Sequence, residues 1–216
     1  MGEHTVLVVD EAAVVLRRWS DALAPLGASE RARRDRFATD RLRDDFTAAH
    51  LLARSCVAEL VGGVARDIVV EQRCAECGGD HGAPTLPQLP DVRVSWSHSH
   101  GWVAAVASTA LVGIDIEARR DGRTLEPGLL RRTATSDERD LIGSADDPRE
   151  AFLRMWVLKE ALIKVGRIGL KDFAQTDVTA ALGGDGAAAV VLGCRLELRP
   201  HPEVVLGTAT VVEEAL

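Results

Sequence analysis

Two stretches of the chain place apolar residues at helical spacing. In residues 45–61, Phe46, Ala49, Leu52, Ala53, Cys56, Val57 and Leu60 recur every third or fourth position, and Gly62-Gly63 close the run. Residues 149–165 repeat that pattern and stop at Gly166. Shorter apolar runs predict strands over 5–9, Ile68–Val70, Val92–Trp96, Trp102–Ser108 and Leu111–Ile116, with the last two near enough to form a hairpin. A helical stretch follows Asp10 to about Leu23, ahead of Pro25 and Gly27. Ser29 is placed to cap a polar, Arg-rich helix through Phe37, and Ser136 to cap part of a helix between Leu129 and Leu141. Residues 74–90 read as a Gly/Pro-rich loop and 118–128 as a connector. The tail predicts strands near 175–182, 187–198 and 203–213, with Gly183-Gly184-Asp185-Gly186 turning between the first two.

The order of these signals repeats. Ser29 precedes a charged helix and Phe46 opens a long one; Ser136 and Phe152 do the same, Leu52 matches Leu158, and glycines end both long helices. The repeat reads either as two similar halves, 1–112 and 113–216, or as the alignment that any two amphipathic helices give.

Composition narrows the class. The chain has 216 residues, 46% of them apolar and 27% charged, so it is long enough for folding to bury roughly 70% of the extended surface. No apolar run is long enough to span a membrane, no secretory signal is read at the N-terminus, and the few cysteines make a reducing cytoplasm the expected location. The net charge of −7 disfavours a general nucleic-acid binder. Four cysteines are too few for a disulfide scaffold at this length. Of the 26 Lys and Arg residues, all but Lys159, Lys164 and Lys171 are Arg. A retained Lys in such a chain suggests a position that a guanidinium does not serve.

Several clusters could carry chemistry. In Gly113-Ile114-Asp115-Ile116-Glu117 the strand period puts both carboxylates on one face, which suits a hard divalent cation such as Mg²⁺ or a solvated strand end. Trp156, Glu160 and Lys164 share a stripe on the second long helix, either as a surface ion pair or at the edge of a cleft. Ser95-Trp96-Ser97-His98-Ser99-His100-Gly101 reads as a polar turn, either a plain hairpin or a contact for phosphate oxygens. Cys74, Cys77 and His81 have zinc-like spacing but lack a fourth ligand nearby. Arg31, Arg33, Arg34, Arg36, Arg41 and Arg43 form either a solvated face paired with neighbouring aspartates or a phosphate clamp.

The order Trp96-Ser97-His98-Ser99, then Gly113-Ile114-Asp115-Ile116-Glu117, then Trp156-x2-Lys159-Glu160-Ala161-x2-Lys164-x-Gly166-x2-Gly169-Leu170 resembles the Sfp-type 4′-phosphopantetheinyl transferases. The motifs span residues 94–170, and the Arg-rich helix and Cys-x2-Cys-Gly-x2-His-Gly-x-Pro loop extend the likeness over most of the chain. The resemblance implies a monomeric pseudo-dimer of two α+β halves. It also implies transfer of the phosphopantetheine arm of coenzyme A to a serine of an apo acyl or peptidyl carrier protein, with release of 3′,5′-ADP. Asp115, Glu117 and Glu160 match the family's Mg²⁺ ligands, and Glu160 also takes the serine proton, directly or through a metal-bound water. Lys164 would stabilise the departing phosphate. Ser97, His98 and Lys159, with Arg36 and Arg43, would contact coenzyme A. Arg119, Arg120, Arg123, Arg131 and Arg132 are candidates for docking the carrier, and secondary metabolism is the expected client.

Two departures stand out. Ala83 occupies the position of a family lysine that contacts coenzyme A, and His100 replaces a common glycine. They motivate the alternative of a catalytically impaired relative that still binds carrier proteins.

Overall fold

The structure, a computed structural model, describes residues 4–74, 77–80, 82–120, 125–183, 186 and 188–212. The fold is α+β and divides into two units, Met1–Val112 and Gly113–Leu216. His81 and Arg123 lie outside the described residues, as do Gly184 and Asp185 of the expected tail turn. No described helix is long and apolar enough to cross a membrane.

The first unit runs β1 (Thr5–Glu11), α1 (Ala12–Arg17), α2 (Ala28–Arg34), α3 (Asp40–Val61), β2 (Glu71–Gln72), β3 (Pro84–Thr85), β4 (Arg93–Ser99) and β5 (Trp102–Ser108). Its main sheet has the order β1-β5-β4, antiparallel throughout. Helix α3 packs across β5, β4 and β1. The apolar positions read from the sequence form its buried face: Phe46, Ala49, Leu52, Ala53, Cys56 and Val57 are at most 3% exposed. Burial of each large side chain of this kind stabilises the fold by about 1.5–3 kcal/mol. The helix starts at Asp40, earlier than its apolar stripe, because Thr39 Oγ1 accepts from Leu42 N. Gly62, at φ +68°, ends it.

Several local expectations are corrected. Helix α1 stops at Arg17; beyond it the Asp21 carboxylate accepts from Leu23 N and Ala24 N and turns the chain. Ser29 lies inside α2, and the cap is supplied by Glu30, whose carboxylate accepts from Gly27 N at 2.6 Å. No strand forms at Ile68–Val70; the short ladder is β2 with β3. Residues 97–99 belong to β4, not to a turn, and the turn is His100-Gly101 alone. Both of its residues have positive φ, +51° and +91°, as the two-residue turn matched to strand twist requires. Consequently β5 hairpins with β4, and β6 joins another sheet.

The second unit runs β6 (Val112–Ala118), α4 (Pro127–Thr133), α5 (Ser136–Ser144), α6 (Pro148–Lys164), 3₁₀ turns at Leu170–Gln175 and Thr179–Ala181, then β7 (Ala188–Val191), β8 (Cys194–Arg199) and β9 (Val204–Val211). The sheet order is β6-β9-β8-β7. Residues 175–182 form no strand, since Asp177 Oδ1 accepts from Thr179 N at 2.7 Å and bends the backbone. The run 187–198 is broken by Leu192-Gly193, again with both φ positive. Thr135, rather than Ser136, caps α5, in a reciprocal pair with Glu138. Met155, Leu158 and Leu162 of α6 meet Leu196, Leu198, Val205 and Ala209 in the core.

Each unit seats its last strand between its first and its penultimate strand, with the long helix packed on that last strand. Each also buries a carboxylate from the third residue of its short helix against a cation of its long helix. Glu30 on α2 meets Arg54 on α3 at 2.7 Å, and Glu138 on α5 meets Lys159 on α6 at 2.6 Å. Glu30 also takes a hydrogen bond from His50 Nδ1 at 2.6 Å. Burial works against its charge, but the bonds from His50 and Arg54 prevail and hold its carboxyl at about 2.

Candidate functional site

The acidic and basic residues of the second unit meet where β6 passes under α6. This contact is close because Gly113 has no side chain: a Cβ there would lie 2.4 Å from Ala161 O and 3.1 Å from Lys164 Cβ. On β9, Gly207 plays the same part beneath Val157, where a Cβ would sit 2.8 Å from Val157 Cγ2. Two glycines on two strands therefore seat α6 on its sheet.

Alternation along β6 buries Ile114 and Ile116 completely, at 0% and 1% exposed. Asp115 is buried at 6% and Glu117 half-buried. From α6, Trp156, Glu160 and Lys164 are each half-buried. Lys164 Nζ donates to Asp115 Oδ1 at 2.9 Å and to Ile114 O at 2.6 Å. Burial raises the Glu160 carboxyl above its ordinary value; the charges of Asp115 and Glu117 raise it further, and Lys164 partly opposes them. Asp115, Glu117, Glu160 and Lys164 thus act on one another as a single electrostatic cluster.

The donor chemistry of the three carboxylates fits a hard divalent cation. Their present orientation gives one Asp115 oxygen to Lys164, and among the described residues no three acidic, His or Cys side chains converge as a ready ligand set. In this arrangement Lys164 supplies the positive charge that faces Asp115.

Lys159 lies elsewhere. It is 0% exposed, and its ammonium donates to Thr133 O, Glu138 Oε2 and Phe173 O at 2.9, 2.6 and 2.7 Å. Burial pushes this ammonium below its ordinary value, while the Glu138 carboxylate supports its charge. The partner that decides its place, Glu138, shows in the sequence only as the glutamate of the Thr135-x-x-Glu138 cap, which does not point to Lys159.

Ser97, His98, Arg36 and Arg43 belong to the first unit. Ser97 and His98 are neighbours on β4, so their side chains leave opposite faces of the strand. Ser97 is 9% exposed and faces the same way as Ser95 and Ser99. His100 stands at the first position of the β4–β5 turn, where its φ of +51° is one that His tolerates better than most residues. Arg36 is exposed, with Nε donating to Ala32 O, and Arg43 pairs with Asp40 at 2.6 Å. Ala83 is exposed. Arg119 is committed within its own unit, with a two-pronged bond to Glu150 and bonds to His201 O and Val204 O. Of two cavities of the first unit, about 350 and 490 Å³, neither is lined by Ser97, His98, Arg36 or Arg43, and the second is lined by Arg41 and His100.

A family model described as the 4′-phosphopantetheinyl transferase superfamily matches residues 111–200, which include the whole cluster. The 4′-phosphopantetheinyl transferase psf-1 of Bacillus pumilus is 30% identical over 181 residues, covering 82% of this chain and 72% of that protein. This chain belongs to the 4′-phosphopantetheinyl transferase superfamily, as an Sfp-type member. The 4′-phosphopantetheinyl transferase Sfp of Bacillus subtilis strain 168 is 32% identical over 92 residues, covering 42% of this chain and 40% of its own length. The B. subtilis 4′-phosphopantetheinyl transferase ffp is 29% identical over 115 residues, covering 52% of this chain and 50% of its own length. Members of this family use coenzyme A and act on carrier proteins.

Proposed function

We propose that the protein transfers the 4′-phosphopantetheine arm of coenzyme A to the serine hydroxyl of an apo acyl or peptidyl carrier protein. In this reaction the serine oxygen bonds to the phosphorus of the phosphopantetheine phosphate, the bond to the bridging oxygen breaks, and 3′,5′-ADP leaves. The observation that carries the reading is the cluster of Asp115, Glu117, Glu160 and Lys164, held where Gly113 lets β6 and α6 touch.

The side chains have distinct work. Glu160 accepts the serine proton, directly or through a metal-bound water; in the metal-free protein burial and the neighbouring carboxylates raise its pKa. Lys164 holds a compact positive charge at the cluster, able to neutralise phosphate oxygen as the diphosphate bond breaks. Asp115, Glu117 and Glu160 would hold Mg²⁺, which neutralises pyrophosphate charge when bound. Ser97, His98, Arg36 and Arg43 are assigned to coenzyme A. Lys159 is left out of the phosphate contacts, because its three N–H groups are already taken inside the protein. Activity as a monomer, in the cytoplasm and for secondary metabolism completes the proposal.

Incubation with coenzyme A, Mg²⁺ and an apo carrier domain tests it. A mass gain of one phosphopantetheine on the carrier is expected, lost with Glu160→Ala and with Asp115→Ala. No gain on any of several acyl and peptidyl carriers would overturn the reading in favour of the impaired relative.

A further inference from the structure

The Lys159–Glu138 pair joins four separate segments of the chain. Lys159 Nζ reaches the last residue of α4 through Thr133 O and the 3₁₀ turn at Leu170–Gln175 through Phe173 O. Glu138 Oε2 also accepts from Thr135 N at 2.8 Å, and its Oε1 accepts from Val178 N at 3.0 Å. One buried pair therefore ties α4, α5 and the segment 173–178 to a single point on α6. That point is the residue before Glu160 and five positions before Lys164. Successive helix residues differ by about 100° in direction, so anchoring Lys159 inward fixes where Glu160 faces. Trp156, on the same stripe as Glu160, rests edge-on against Phe173 at 5.2 Å, so the anchored turn also braces that stripe.

We infer that Glu138 and Lys159 are positioning residues for the transfer reaction: together they set the rotation of α6 about its axis and so aim Glu160 and Lys164. Lys159 does not touch coenzyme A. The inference rests on the proposed transferase reading for its kinetic consequence, but its structural consequence can be read without catalysis.

The test is the double variant Lys159→Met/Glu138→Leu in the full chain. It replaces a buried ion pair by apolar groups of similar size, an exchange that folded proteins often tolerate. The bonds to Thr133, Phe173, Thr135 and Val178 are lost. Steady-state transfer should show kcat reduced roughly tenfold or more, because misaimed catalytic groups lose effective molarity. The KM for coenzyme A should stay within about twofold, because no ligand contact is removed. In parallel, ¹⁹F NMR of the 5-fluorotryptophan protein should show the Trp156 resonance displaced and those of Trp19, Trp96 and Trp102 unchanged. Should the double variant fail to fold, Glu138→Gln serves the same measurements, with the same directions expected.

A KM for coenzyme A raised roughly tenfold with kcat unchanged would overturn the inference and make Lys159 a phosphate ligand. An unmoved Trp156 resonance would overturn it whatever the kinetics. If the wild-type protein transfers nothing, the proposed function fails, and the Trp156 resonance alone decides whether the pair orients α6.

Discussion

Substitution of Gly113 by alanine probes the contact on which the cluster depends. The added Cβ would lie 2.4 Å from Ala161 O, 3.1 Å from Lys164 Cβ and 3.2 Å from Val165 Cγ1. Since an ordinary contact starts near 3.4 Å, β6 and α6 must part by about 1 Å. The nearest obstacle is backbone, which cannot swing aside as a side chain would. Overpacking of this kind costs about 1–3 kcal/mol. For a chain of this length that is a fall in Tm of roughly 2–12 °C. A displacement of about 1 Å at the catalytic groups lowers kcat by as much as about 100-fold. Gly143→Ala is the control: nothing lies within 4 Å of its would-be Cβ on α5, so Tm should hold or rise slightly. Differential scanning calorimetry and a carrier mass-gain assay read both effects. Gly113→Ala with wild-type Tm and wild-type rate would refute the described contact between β6 and α6.

Other consequences follow from the buried charges and the turns. Glu30→Gln leaves Arg54, 1% exposed, without its counter-ion and should cost about 3–5 kcal/mol, read as a drop in the urea midpoint. The Glu30 carboxyl is held at about 2 against an ordinary 4.5, so its contribution is full above 4.5 and disappears as pH falls towards 2. His50 is buried with its pKa lowered from 6.5, which also makes acid destabilising, from about that pH downward. An acid melt followed by near-UV circular dichroism should therefore show stability declining below neutral pH; a flat profile down to pH 3 would contradict the pairings. In the metal-free protein Glu160 has a raised pKa, so its ionisation opposes folding as pH rises above 4.5. Glu160→Gln should consequently stabilise the metal-free protein at neutral pH by about 0.5–2 kcal/mol in thermal melts. Leu192 holds φ +51° while 54% exposed, so Leu192→Asn should raise stability by about 1 kcal/mol; a fall in Tm would contradict the turn geometry.

Periodicity made the long helices and the acidic strand legible. The 3.6-residue stripe of α3 and the two-residue alternation at Ile114-Asp115-Ile116-Glu117 depend only on neighbours in the chain. Residues 97–99 were harder, because serine and histidine suggest a turn while pairing with β5 makes them strand. The end of α1 and the shape of 175–182 turned on aspartate side chains bonding nearby amides, a competition that apolar patterning does not register. Lys159 looked like its neighbour Lys164 in sequence. Its burial depends on Glu138, which sits on a different helix, so proximity to the motif was a poor guide to its direction.

Titration of Mn²⁺, as a spectroscopic substitute for Mg²⁺, into the protein with coenzyme A tests the shared carboxylate site most directly. Electron paramagnetic resonance should count one tight site in the wild-type protein, weakened roughly tenfold or more in Asp115→Ala, Glu117→Ala and Glu160→Ala alike. Asp172→Ala, which removes only the bond to Gly169 N, should leave it unchanged. Equal Mn²⁺ affinity in the wild-type protein and the three carboxylate variants would contradict the account.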